Sequence, residues 1–280
     1  MKKIGFVDYY ISEWHANNYP AWIKSACEEL GCDYTVAYAW AEKDISPVDG
    51  KSTDEWCKEF GAQKCQTIEE LCSKSDVILV LSPSNPEKHL EYAEKVLKFG
   101  KRTYIDKTFA PNIDHAKKIF DIAKEYNAPF FSSSALRYAT ELDDLSNPDE
   151  VIVTGSGGSV DEYIIHQIEM VVKKLGVGAD SVTLKKVGRE HCFFIDYLDN
   201  RSALMNYGNY GFGAFLRNDE KCVKSVIRSD FFKGLIKDIV NFYETGKISF
   251  DTKETLEAIA IRDAVLKAVL VEGEKIKVVR

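Results

Sequence analysis

The run DVILVLSPS, Asp76–Ser84, constrains this chain more than any other feature. Its apolar stretch is continuous rather than alternating, and turn residues bound it. That is the pattern of a strand buried on both faces of a parallel sheet. Parallel strands need crossover connections, and the surrounding sequence supplies them. Ile4 to Val7 reads as a strand, followed by a helix from near Ala16 that Gly31 closes. DYTVAYAW, Asp33–Trp40, is a second strand, rich in β-branched and aromatic residues. A helix from about Pro86 to Phe99 ends at Gly100; RTYID, Arg102–Asp106, is the next strand. A helix over roughly Ile113 to Tyr126 and the strand APFFSSS complete the series. This repeated β-α-β order predicts a doubly wound sheet, in which ligands sit at the carboxyl ends of the strands.

The pattern changes after about residue 140. TELDDLSNPDE is polar and turn-rich, which suits a domain joint. The strand EVIVTG then leads into SGGSVDEYIIHQIEMVVKKLG, where Ser159 and Glu162 have capping-box spacing, so a helix begins near Val160. Five strand-like segments follow: Ser181–Val187, Cys192–Leu198, Ser202–Asn206, Ala214–Arg217 and Cys222–Ile227. Helices over about Ser229–Thr245 and Thr252–Glu272, and a short strand Lys275–Val279, end the chain. The expected fold is α/β. An N-terminal Rossmann-like doubly wound parallel sheet (residues 1–138) precedes a C-terminal α+β domain on a mostly antiparallel sheet (residues 139–280).

Composition narrows the class. The net charge of −7 and the lack of a basic stripe disfavour a nucleic-acid partner. No apolar run is long enough to span a bilayer, and without a basic stretch followed by an apolar one at the start, no signal peptide is expected. The seven cysteines are odd in number and form no C-x-x-C pair. Reduced thiols in a cytoplasmic protein are the expectation, without a disulfide framework or a zinc ribbon.

Several residues have the chemistry for a site. Lys107 follows the strand RTYID at the carboxyl end of the predicted sheet, where it can donate a proton or hold a substrate oxygen, or be one solvated lysine among many. Glu162, His166, Glu169 and Lys173 share a helix face. That face reads as a solvated stripe, as a catalytic histidine oriented by Glu169 or Glu162, or as a metal site; no further ligand cluster supports a metal. GSGGS, residues 155–159, is either an anion-binding nest or a tight turn into a capped helix. Arg137, near the joint, suits an anionic substrate or a structural ion pair. His89 and His115 lie on polar stretches of helix and are expected at the surface.

Together the pieces resemble the Gfo/Idh/MocA oxidoreductases over nearly the whole chain. ISEWHA, Ile11–Ala16, resembles the sequence just after that family's glycine turn. SDVILVLSPSNPEKHLEYAEKVLKFGKRTYIDKTFA is similar to its fourth strand, helix and fifth strand, so the E-K-P motif falls on Asp106, Lys107 and Thr108. GGSVDEYIIHQIE is similar to its G-G-x-x-x-D-x-G-x-H-x-x-D motif, placed here on Glu162, Ile164, His166 and Glu169. The resemblance implies NAD or NADP as cofactor, with Asp8, Tyr10, Ile11, Ser12, Trp40, Ser82, Pro83, Asn85 and Asp106 at the cofactor edge. It implies hydride transfer at a sugar, polyol or related carbinol. Lys107 and His166 become the proton-handling pair, with Glu169 beside them, and Lys107, Arg137, Glu162 and His166 the substrate contacts. It further implies an open sheet that forms a homo-oligomer interface, dimer or tetramer.

The departures bear on the cofactor. E-K-P has become Asp-Lys-Thr, and the stretch between VIVTG and SGGSV is short. The usual glycine turn falls on Asp8, Tyr9 and Tyr10, with Ser12 in the third glycine's place. Glycine there allows a tight turn and close approach of the backbone to pyrophosphate. Tyrosines add bulk, and Asp8 adds charge that repels phosphate by about 1 kcal/mol at ~4 Å in water and several-fold more when partly buried. The ribose-binding acid expected near Trp40 is also missing, with Glu42 two residues on. Weak or atypical NAD(P) binding is therefore expected, with a smaller anion still able to use the amides that open the first helix. The alternative is a non-catalytic descendant of the fold that binds a small ligand or a partner.

Overall fold

A computed structural model describes residues 1–280. The chain divides into two compact units. The first is Met1–Ser132 with Ile236–Ser249; the second is Ser133–Leu235 with Phe250–Arg280. The first unit thus ends a few residues before the joint read from the sequence. It also takes in a segment that sequence order alone assigned to the C-terminal domain.

The first unit alternates strand and helix: β1 (Lys2–Asp8), α1 (Trp14–Leu30), β2 (Tyr34–Ala41), α2 (Thr53–Phe60), β3 (Gln63–Lys64), α3 (Ile68–Lys74), β4 (Val77–Val80), α4 (His89–Val96), β5 (Thr103–Ile105), α5 (Ile113–Glu125) and β6 (Phe130–Phe131). The six strands are parallel in the order β3-β2-β1-β4-β5-β6. The order reverses between β1 and β4, which is the topological switch point of a Rossmann sheet. All four residues of β4 are buried, as its unbroken apolar run requires. At Gly5 in β1, an added Cβ would meet the Leu71 side chain at 2.4 Å, so glycine is what lets α3 lie against the strand. The returning segment is tied in by the Tyr243 hydroxyl, which donates to the Ile78 carbonyl at 2.8 Å.

The second unit holds β7 (Glu150–Gly155), α6 (Val160–Leu175), β8 (Ala179–Val187), β9 (Glu190–Tyr197), β10 (Ser202–Tyr207), β11 (Gly213–Arg217), β12 (Cys222–Val226), the first turn of α7 (Phe231–Thr245), α8 (Lys253–Leu270) and β13 (Lys275–Lys277). Its seven-stranded sheet runs β12-β11-β7-β10-β9-β8-β13 and is antiparallel except for the β7–β10 pair. Val151, Val153, Phe193 and Ile195 are buried on one face, while Ile152 and Phe194 alternate with them and are exposed. The Gly157 position serves packing: a Cβ there would lie 2.0 Å from the Tyr163 ring. With Ser159 accepting from the Glu162 amide at 3.3 Å, GSGGS forms a turn into a capped helix.

All seven cysteines are free thiols. No helix is long and apolar enough to cross a membrane. His89 corrects a sequence expectation. It is fully buried rather than at the surface, with Nε2 2.6 Å from the Leu81 carbonyl and Nδ1 3.0 Å from the Phe109 carbonyl. It ties the end of β4 to the segment after β5, and burial holds its pKa below the usual imidazole value.

Candidate functional site

In the first unit the switch point is lined by the residues that end β1, β4 and β5. Asp8, the last residue of β1, is 1% exposed. Its Oδ1 accepts from the Tyr9 amide at 2.7 Å and the Ser82 amide at 3.0 Å, which joins the ends of β1 and β4. Ser82 reaches this position with a left-handed φ of 69°. Asp8 Oδ2 is buried with no hydrogen-bond partner. Burial, with the Glu13 charge added, pushes the Asp8 carboxyl well above the usual range.

Helix α1 begins two residues earlier than its apolar pattern indicated, at Trp14, which makes Glu13 its N-cap. Glu13 is 7% exposed, and its carboxylate accepts from the amides of His15 (2.8 Å) and Ala16. These are the helix-opening amides that the sequence reading left available to an anion; Glu13 holds them instead. Burial pushes the Glu13 carboxyl up, against the pull of His15 and the two amides.

His15 lies behind this cap. Its Nδ1 contacts Asp106 Oδ2, and its ring stacks on Tyr19 with centroids 5.2 Å apart and planes 9° apart. Asp106, fully buried after β5, also accepts from the Tyr104 hydroxyl at 3.2 Å and the Lys107 amide at 2.8 Å. Burial pushes the Asp106 carboxyl up, but the His15 ring and Lys107 outweigh it and hold it below the usual range. Lys107 is half-buried, and its Nζ donates to the Pro83 carbonyl at 3.2 Å. The Lys107–Thr108 peptide is cis although no proline follows.

The remaining cofactor-edge residues are engaged within the same unit. Ser12 donates to Asp49 at 2.7 Å, and its carbonyl accepts from Ser46. Ile11 is buried, and Tyr10 packs edge-on against Tyr9. Asn85 donates to Glu87 at 3.0 Å. Trp40 presents no acid and packs edge-on against Tyr92. Glu42, just past β2, accepts from Lys88 and from the Tyr92 hydroxyl, each at 2.9 Å.

A nicotinamide dinucleotide in the usual pose does not fit these residues. The Tyr9 and Ser82 amides hold the Asp8 carboxylate, and the His15 and Ala16 amides hold the Glu13 carboxylate. A pyrophosphate placed there would meet two buried carboxyl groups instead of open donors.

In the second unit His166 is partly buried on α6, with Nδ1 2.7 Å from the Ser134 hydroxyl. Glu169, one turn on, is 4% exposed and turned to the interior, not to a solvated stripe. It accepts from Arg137 Nη1 at 3.1 Å and from the Ser133 hydroxyl at 3.5 Å. Burial pushes its carboxyl up, while the Arg137 guanidinium draws it back. Arg137 is 6% exposed, paired with Glu169 and Glu254, and its guanidinium sits 3.9 Å over the Phe250 ring. Of its two sequence readings, this geometry is the ion pair. Ser134, the hydroxyl on His166, was not anticipated from the sequence. Glu162 is partly exposed near the start of α6.

The 3-2-1-4-5-6 parallel sheet in one unit and the mostly antiparallel sheet in the other define a two-domain protein with a Rossmann-type first unit. Residues 43–134 match the Gfo/Idh/MocA oxidoreductase family, NAD-binding Rossmann fold. That segment contains SDVILVLSPSNPEKHLEYAEKVLKFGKRTYIDKTFA, whereas ISEWHA and GGSVDEYIIHQIE lie outside it. The chain is 35% identical over 57 residues to the uncharacterized oxidoreductase YhhX of Escherichia coli K12. That alignment spans 20% of this chain and 16% of YhhX. In fold, the chain is similar to GenD2 from gentamicin A biosynthesis, solved in complex with NAD (TM-score 0.79, 12% identity, covering 100% of this chain and 97% of that one). It is likewise similar to UDP-N-acetylglucosamine 3-dehydrogenase GnnA from Acidithiobacillus ferrooxidans (TM-score 0.76, 10% identity, 97% of each chain). An NAD binding oxidoreductase from Klebsiella pneumoniae aligns with a TM-score of 0.76 at 11% identity, over 100% of this chain and 99% of that one.

Proposed function

We propose that the protein is an oxidoreductase acting on the carbinol of a sugar, polyol or related small hydroxy compound. Lys107 and His166 are its proton-handling residues, and NAD or NADP is held weakly and outside the usual turn. The observation that carries this reading is the placement of Lys107. It stands half-buried at the carboxyl end of β5, beside the switch point, with its ammonium on the Pro83 carbonyl. A lysine so held can donate to a substrate hydroxyl and stabilise the oxygen as its proton leaves. His166 is the second candidate. The Ser134 hydroxyl fixes its ring, and Glu169 stands behind as a buried anion paired to Arg137. NAD or NADP, when bound, would supply the hydride acceptor, with its pyrophosphate away from the occupied amides of Tyr9, Ser82, His15 and Ala16.

The free thiols support a reducing, cytoplasmic setting, and the exposed Phe194 and Ile152 on the second unit's sheet support a homo-oligomer. A second reading, a descendant that binds a small ligand or a partner without catalysis, is favoured by Glu13 holding the α1 amides. A thermal-shift screen of NAD, NADP, sugars and polyols separates them, followed by assay of nicotinamide reduction with each stabilising compound. Turnover with any hydroxy compound that Lys107→Met abolishes supports the oxidoreductase. Stabilisation by a compound with no turnover under any cofactor supports the binder.

A further inference from the structure

The amides that open α1 lie at the switch point, where a doubly wound fold receives an anion. Here a side chain of the protein is already seated on them. Glu13 is nine-tenths buried, and its two oxygens divide between the His15 and Ala16 amides. A second carboxylate, Asp8, holds the Tyr9 and Ser82 amides and points a buried, unpartnered Oδ2 into the same region. The backbone donors that a pyrophosphate would use are therefore already occupied by the protein's own carboxyl groups on both sides of the switch point.

We propose that Glu13 is the specificity-determining residue of this edge, a built-in carboxylate that takes the place of the cofactor phosphate and excludes free or dinucleotide pyrophosphate. The proposal rests on the weak-cofactor reading above and names its cause. Charge and volume both act. The carboxylate repels an incoming phosphate in a region with little water to screen it, and it occupies the donors the phosphate needs. Removing it frees the site without losing the helix start only if the replacement can still cap. Serine caps through its hydroxyl and is too short to fill the space. Glutamine keeps the shape and removes the charge.

The test titrates inorganic pyrophosphate and NADH into wild type, Glu13→Ser and Glu13→Gln, with circular dichroism to verify the fold. Trp14, half-exposed beside His15, gives a fluorescence signal for binding, and calorimetry gives the affinity. The expected result is pyrophosphate and NADH binding at least tenfold tighter in Glu13→Ser, with a smaller gain in Glu13→Gln. If Glu13→Ser misfolds, the near-isosteric Glu13→Gln carries the test, and no gain there overturns the proposal. Weak wild-type binding with no gain in a folded Glu13→Ser defeats the Glu13 assignment alone. Low-micromolar NADH binding by wild type defeats both this assignment and the weak-cofactor reading.

Discussion

The His15 imidazole and the Asp106 carboxylate are held together inside the first unit, Nδ1 against Oδ2, with both side chains buried. The partner holds the Asp106 carboxyl down against burial. A carboxylate with a depressed folded pKa stabilises the protein above its ordinary pKa, and that contribution is lost as pH falls through the folded value. His15→Ala should therefore lower stability by about 3 kcal/mol near neutral pH, because it leaves a buried charge with one partner fewer. The deficit should shrink in acid. Urea unfolding at both pH values checks this, and an equal deficit at both would remove His15 as the cause.

Asp8 has the opposite sign. Burial and Glu13 raise its pKa, so its contribution is complete below the ordinary carboxylate range and is lost as pH rises through the folded value. Asp8→Asn keeps an acceptor for the Tyr9 and Ser82 amides and cannot ionise. Its melting temperature relative to wild type should rise as pH climbs above the ordinary carboxylate range. A difference that stays flat with pH would show that Asp8 keeps an ordinary pKa in the folded protein.

Lys107→Met should reduce turnover about 100-fold or more while unfolding within about 0.5 kcal/mol of wild type, since the ammonium's bond to Pro83 lies in a half-exposed place. Steady-state kinetics on a hydroxy substrate found by thermal shift, paired with a melting curve, reads both numbers. Full turnover in a folded Lys107→Met would take the lysine out of the chemistry.

Arg137 should act on stability. Arg137→Met leaves Glu169 buried without its cation and should cost about 3–5 kcal/mol. Adding Glu169→Gln should recover part of that loss. A substrate contact would behave differently: KM would rise in Arg137→Met while the denaturation midpoint stayed in place.

The sheet of the first unit was legible because β4 is apolar without interruption and because Gly31 and Gly100 end their helices in the left-handed conformation. Lys107 was legible from its place after a strand. Glu13 is not, because the apolar pattern starts the helix near Ala16 and a glutamate three residues before that start carries no signal. With the start at Trp14, Glu13 becomes the N-cap and its role follows. His89, expected at the surface, is buried for a related reason. It lies among polar neighbours on its helix, yet the Leu81 and Phe109 carbonyls hold its ring in the interior. One-dimensional patterns do not record which flank of a helix a distant segment covers. The return of Ile236–Ser249 to the first unit is hidden from sequence order in the same way.

Calorimetric titration of the wild-type protein with NADH and NADPH tests the central claim most directly. Asp8 and Glu13 hold the donors at the switch point, so the dissociation constants should lie in the high micromolar range or poorer, a binding free energy weaker than about −6 kcal/mol. A low-micromolar constant for either nucleotide would contradict the account.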